Sequence, residues 1–276
     1  MGAVVDPLVL LREIGRREDQ AIDIAEAALL LAALDRPGES LEPYRETLAA
    51  IARQARESTA RSHSIDMQIG ELTNLLVGRY GFQGDKETYD DPRNANLMHV
   101  IDRRRGLPVA LGILWMHAAR AYDAEVVGLA FPSHFLIRLS SRGQRVILDP
   151  FGGGRALGAK DLRRMIKDLG GADREIEPAD YAPVSNRDVL IRLQNNIKLR
   201  ALAAHDAARA LDVLRTMTAL APDRGELWWE TALLHSRLGN MRTAITTLEN
   251  YLAGRTNVEV RTEIQDLLER LRSKIN

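Results

Sequence analysis

The hydrophobic pattern changes character three times along the chain. Residues 18–34, EDQAIDIAEAALLLAAL, place Ile22, Ala25 and Leu29 at helical spacing, with Asp23 and Glu26 on the other face. Asp35-Arg36-Pro37-Gly38 stops that helix. Ser40 is a fair N-cap for the next helix, with Glu42 and Pro43 in its first turn, running to about Ala60. A further helix is predicted from about Ile65 to Tyr80, ending at Gly81. Residues 82–96, FQGDKETYDDPRNAN, then lose all periodicity and predict a long loop, either a surface excursion or a functional segment. Asn96 caps a short predicted helix, Leu97–Arg105, whose last turn carries Arg103, Arg104 and Arg105 as partners of the helix dipole.

Gly106-Leu107-Pro108 opens a different kind of helix. The run VALGILWMHAARAYD is apolar on nearly every side as far as Ala119, which places it in the middle of a domain. Three short β-favouring runs follow: Glu125–Phe131, Phe135–Leu139 and Arg145–Leu148. Pro132-Ser133 and Ser141-Arg142-Gly143 separate them, so they read as three antiparallel strands on the buried helix. Pro150 and Gly152-Gly153-Gly154 are expected to end the sheet, and Ala159–Leu169 is a predicted helix. The glycine triplet lacks the phosphate-loop pattern.

From about Ser185 the chain is helical and repeats. At an offset of 34 residues, Asp206, Ala210, Leu211 and Leu214 fall on Asn240, Ala244, Ile245 and Leu248. A helix-pair period of this length is the tetratricopeptide signature. Trp228 takes the aromatic slot of the second copy, Ala232 the small slot, and Ala244 with Leu248 the A-x3-F pair. Thr231 and His235 depart from the pattern. Residues 257–274 read as a capping helix. The expected architecture is α+β and mainly helical. Its regions are 1–80 (helical, packing on the core), 81–184 (the mixed core) and 185–276 (the repeats).

Composition narrows the chemistry. The 276 residues include no cysteine, which removes disulfides, Cys-ligated zinc, iron–sulfur clusters and a cysteine nucleophile. Lys and Arg together number 38 and so do Asp and Glu, so no broad basic field favours nucleic acid as a partner. The N-terminal stretch lacks the basic region of a signal peptide, and the most apolar run, Ala27–Leu34, is too short to span a bilayer. A cytoplasmic chain with no membrane partner is expected.

Three strings in order, DPRNANLMHVIDRRRGLPVALGILW, GLAFPSHFLIRL and ILDPFGGG, carry a family resemblance. The stretch Phe82–Gly154 resembles a bacterial family joining a transglutaminase-like core to C-terminal tetratricopeptide helices. Its members are often described as regulators of invasion genes. The resemblance implies a Cys-His-Asp triad: the cysteine opening the buried helix, the histidine on the second strand, the aspartate closing the third. Here the helix-opening slot holds Pro108, the histidine is His134 and the carboxylate is Asp149. Ala110 and Gly112 supply no substitute nucleophile. Ser133 adjoins His134, and on a strand neighbouring residues point to opposite faces.

Two readings of the remnant stay open: a structural hydrogen bond kept from the fold, or a working acid–base or ligand-binding pair. Arg138 shares the strand face of His134 by period 2 and is a candidate anion ligand. Trp228 is a candidate for a ligand groove in the repeats, with packing between helices as the alternative. His117 reads as a buried, hydrogen-bonded histidine, and His99 with Asp102 falls short of a metal site, so no metal and no cofactor are expected. The chain therefore reads as a pseudoenzyme: a non-catalytic interaction or regulatory protein that meets a protein or peptide through its repeats. The alternative is a hydrolase or acyl-transfer enzyme in which His134 and Asp149 activate water.

Overall fold

The computed structural model describes residues 6–60, 62–122, 124–171, 174–253 and 258–273. The helices are α1 (Pro7–Gly15), α2 (Ile24–Ala33), α3 (Glu42–Thr59), α4 (Ile65–Thr73), α5 (Leu97–Arg103) and α6 (Pro108–Arg120). They continue with α7 (Ala159–Gly170), α8 (Asn186–Ala203), α9 (Ala207–Leu220), α10 (Gly225–Arg237), α11 (Met241–Ala253) and α12 (Val258–Arg272). The strands are β1 (Gln83–Gly84), β2 (Arg105–Gly106), β3 (Glu125–Leu129), β4 (Leu136–Ser141), β5 (Gln144–Asp149), β6 (Arg155–Leu157) and β7 (Pro183–Val184). The chain forms two compact units, Glu18–Leu193 and Met1–Arg17 with Gln194–Asn276.

The first unit is organised around α6. Every residue from Pro108 to Ala119 is buried except His117, whose Nε2 lies 3.0 Å from the Leu48 carbonyl. Helices α2, α3 and α5 pack on α6, as do strands β3 and β4. The sheet has five strands in the order β6-β5-β4-β3-β7, all antiparallel. The three expected strands form its middle. The expectation that Pro150 and the glycines end the sheet is corrected: the chain turns there and returns as β6, pairing Asp149 with Arg155. On one sheet face, α7 seals Leu129, Phe131, Leu136 and Leu157 with Leu162 and Ile166.

Two further expectations change. The helix from Ile65 passes into a π-helical turn at Asn74–Arg79. Residues 82–96 are anchored rather than a surface excursion. Gln83 and Gly84 pair in parallel with Arg105 and Gly106, and Asp85, Asn94 and Asn96 are buried. Asp85 accepts from the Thr88 hydroxyl at 2.7 Å and the Thr88 N–H at 2.8 Å, and Arg103 reaches it at 3.2 Å. Burial alone would raise the Asp85 carboxyl, but the Thr88 hydroxyl and N–H, the Asn94 side chain and the Glu87 N–H prevail and hold it at about 2. The three arginines therefore do not share a helical last turn. Asn96 caps α5 as expected, accepting from the His99 N–H. The helix stops at Arg103, because Arg104 takes a left-handed φ of 62° and lays its guanidinium over Tyr80 and Phe82. Arg105 pairs with Glu87.

The second unit stacks α9 to α12 in sequence. Its interior is mainly apolar, with two polar pairs inside it, Thr216 with Gln194 and Lys198 with Glu230. Ala232 and Ala244 are fully buried and let Leu248, Tyr251, Ile264 and Leu268 close in around them. Helix α1 departs from the expected 1–80 region: it packs on α9. The small Gly15 allows this approach, since a Cβ there would fall 2.0 Å from the Ala219 carbonyl oxygen.

Candidate functional site

The site forms where the turn before β4 meets the end of β5. His134 lies in the turn Pro132–His134, not on the second strand as expected, because Ser133 adopts a left-handed φ of 55° and delays β4 to Leu136. Strand alternation therefore does not govern Ser133, which is exposed. Arg192 of α8 fixes the turn, donating at 2.8 Å to the carbonyls of both Phe131 and His134. Its guanidinium also lies over the Phe135 ring.

Asp149 is the last residue of β5 and is buried. Its Oδ1 lies 2.8 Å from His134 Nε2 and accepts from the Gly152 N–H at 3.0 Å. The glycine triplet builds this cradle. The chain turns tightly enough for the Gly154 N–H to reach the Asp149 carbonyl at 2.8 Å. Gly154 has φ of 80° and sits against Trp115 of α6, where a Cβ would come within 2.0 Å of the indole. Burial pushes the Asp149 carboxyl up; the His134 hydrogen bond and charge and the Gly152 and Phe151 N–H groups outweigh it and hold it below the usual range. Phe151 stands edge-on to the imidazole with ring centres 6.0 Å apart, and Tyr89 stands edge-on to Phe151. Residues 82–96 thus reach the site through Phe151.

The pair has a definite proton arrangement. A carboxylate only accepts, so His134 Nε2 donates and, in the neutral ring, Nδ1 is the bare nitrogen. That is the state of a general base, oriented by its carboxylate. The imidazole is 22% exposed. Pro108 opens α6 as expected; with no N–H to satisfy, proline suits a first helical position, and it brings no nucleophilic atom.

The remaining candidates separate. Arg138 lies on β4 opposite Val127 and Ile147, which pack toward α7. With His134 outside the strand, period 2 no longer relates them, and Arg138 Nε is buried without a hydrogen-bond partner. Trp228 belongs to the repeat unit, where Nε1 donates to the Pro222 carbonyl at 2.9 Å and the ring lies against Tyr251. It also lines a cavity of about 700 Å³. Asp102 is taken by Arg36 and Tyr44. Among the described residues, no three His, Asp or Glu side chains converge as a metal site, and no helix is long and apolar enough to cross a membrane.

Sequence reasoning missed Arg192 and Phe151. Phe151 lies inside the ILDPFGGG string and was open to question there. Arg192 carries no local signal, because its contacts span some sixty residues of chain.

Residues 42–195 match the model of the transglutaminase-like superfamily. The chain belongs to that superfamily. Residues 197–269 match a tetratricopeptide repeat model. A UPF0162 protein of Pseudomonas aeruginosa is 31% identical, the alignment covering 71% of this chain and 72% of the relative. One from Xylella fastidiosa is 27% identical over 89% and 88%. Protein SirB1 of Salmonella typhimurium is 24% identical over 79% and 80%. The transglutaminase-like region with tetratricopeptide repeats fits a regulatory or protein-interaction role.

Proposed function

We propose that this transglutaminase-like chain is non-catalytic and acts in regulation through protein contacts made by its repeats. The observation that carries the reading is Pro108 at the opening of α6, in a chain without cysteine. Covalent acyl transfer needs a side-chain nucleophile within reach of its base. Pro108 offers none, and its ring fills a buried position. The retained His134–Asp149 bond then ties the β4 turn to the β5 end.

The test is an amine-transfer and thioester-hydrolysis assay on the wild-type chain and on Pro108→Cys. Neither is expected to turn over substrate, because a thiol alone supplies no oxyanion donors or substrate channel. Robust transfer by Pro108→Cys would show a site intact but for its nucleophile, and the reading would be too strong. A second reading, hydrolysis with water as nucleophile, is favoured by the bare Nδ1 of His134 opposite the Asp149-bound Nε2. It predicts wild-type turnover abolished in His134→Ala.

A further inference from the structure

The repeat unit contains a cavity of about 700 Å³, within the ~300–1,000 Å³ span of ligand sites. Residues of α1, α9, α10 and α11 line it. Leu211 and Trp228 supply an apolar wall. The indole cannot swing away, since Nε1 is held by the Pro222 carbonyl and the ring by Tyr251.

The charge on this cavity is lopsided. Arg12 in the last turn of α1, Arg16 at its C-cap and Arg215 on α9 all line it, with Asp212 as the one carboxylate in the lining. Elsewhere Arg36, Arg45, Arg93, Arg103 and Arg105 each pair with a carboxylate. The side chains of Arg12, Arg16 and Arg215 make no hydrogen bond or ion pair among the described residues. Like charges gathered at one cavity repel one another, and a ligand bearing carboxylates relieves that repulsion. His235 lines the same cavity with a buried Nδ1 that has no partner.

We propose that this cavity binds an acidic peptide segment, its carboxylates paired with Arg12, Arg16 and Arg215 and an apolar side chain laid against Trp228. The inference rests on the reading of the repeats as a protein-contact module and names the chemistry of the partner. Peptide is favoured over nucleic acid on two counts. The cationic cluster is confined to one cavity, and the whole chain carries no net positive charge.

The test is fluorescence anisotropy on the full chain with a labelled synthetic peptide rich in Asp and Glu around a central Leu. Its Asn/Gln and Lys analogues are run beside it. Saturable binding of the acidic peptide alone is expected, weakening as salt rises. Arg12→Glu and Arg215→Glu should each weaken binding by about three- to fivefold, the range of exposed ion pairs. The double variant should instead bind the Lys peptide. These arginines are exposed, so circular dichroism should show the variants folded. No binding of the acidic peptide, equal binding of the Asn/Gln analogue, or indifference to both reversals overturns the inference. So does tighter binding of oligothymidylate, which would make the cavity a nucleic-acid site. Cross-linking in native extract keeps the two readings apart. If wild type and the double variant capture the same proteins equally, this inference alone fails. If wild type captures none, the interaction reading fails.

Discussion

The two units differ in what fixes their distant parts. In Glu18–Leu193 the junctions around the site are polar or sterically exact: Asp85 with Arg103 and Asn94, Asp149 with His134, Gly154 under Trp115. The repeat unit, in contrast, stacks sequential helices on alanines and leucines, with each helix meeting its chain neighbours. The first design fixes particular atoms in particular places. The second stacks each helix on its neighbours and tolerates more variation.

The contrast predicts where each unit breaks. The largest effect should come from Gly154→Ala. The added Cβ meets the Trp115 indole at 2.0 Å on a residue with φ of 80°, so overpacking and backbone strain combine. A loss of about 3 kcal/mol or more is expected in urea unfolding, with the near-ultraviolet signal of Trp115 altered. Asp85→Ala should follow closely. It leaves the Glu87 and Thr88 N–H groups without their acceptor and takes one partner from Arg103, which keeps Asn94 and Asp91, at about 2–3 kcal/mol. Its deficit should be pH-dependent. The folded carboxyl sits at about 2, below the ordinary 3.8, so the stability it brings is full above the ordinary value and lost as pH falls toward 2. Unfolding of wild type and variant at pH 7 and near pH 2 should show the gap narrowing. A constant gap would mean that the ionised carboxylate is not what holds the segment.

Ala244→Leu probes the other design. Ala244 is fully buried among Leu248, Tyr251 and Ile264, so a larger side chain should cost about 1–3 kcal/mol. Hydrogen exchange should accelerate in α9 to α12 and not around His134. Equal acceleration in 108–150 would contradict the modular picture, and no acceleration would show that the position is not packed. The smallest effect should be that of His134→Ala, about 1 kcal/mol for one charge-assisted bond at a partly exposed site. Removing the imidazole should let the Asp149 carboxyl rise toward its ordinary range. Because a depressed carboxyl stabilises above its unfolded value and loses that contribution as pH falls, the variant should show a shallower loss of stability below pH 4. Carboxyl titration by NMR checks the direction.

Which parts were legible in the sequence follows the same contrast. Local periodicity gave α2, α6 and the repeat helices, and the three middle strands, because those elements are fixed by neighbours within a turn or a hairpin. The strings around Pro108, His134 and Asp149 pointed to the site because the resemblance preserves their order. What escaped was long-range. β7 pairs across some fifty residues with β3, and nothing in Pro183-Val184 signals a strand. Residues 82–96 left a surface excursion and a functional segment both open, because their order comes from Arg103 and from the parallel pairing with Arg105-Gly106. His134 was placed on a strand because hydrophobic runs do not reveal the left-handed φ of Ser133, and that error also misaligned Arg138.

The most direct measurement is substrate turnover by the wild-type chain, with His134→Ala as control. Hydrolysis of model thioesters, amides and glutamine-containing peptides is followed alongside mass spectrometry for covalent adducts. The account predicts no adduct and no hydrolysis above the His134→Ala background, at any pH across the range where an imidazole changes charge. Hydrolysis that depends on His134 would contradict it, and would make the His134–Asp149 pair a working base.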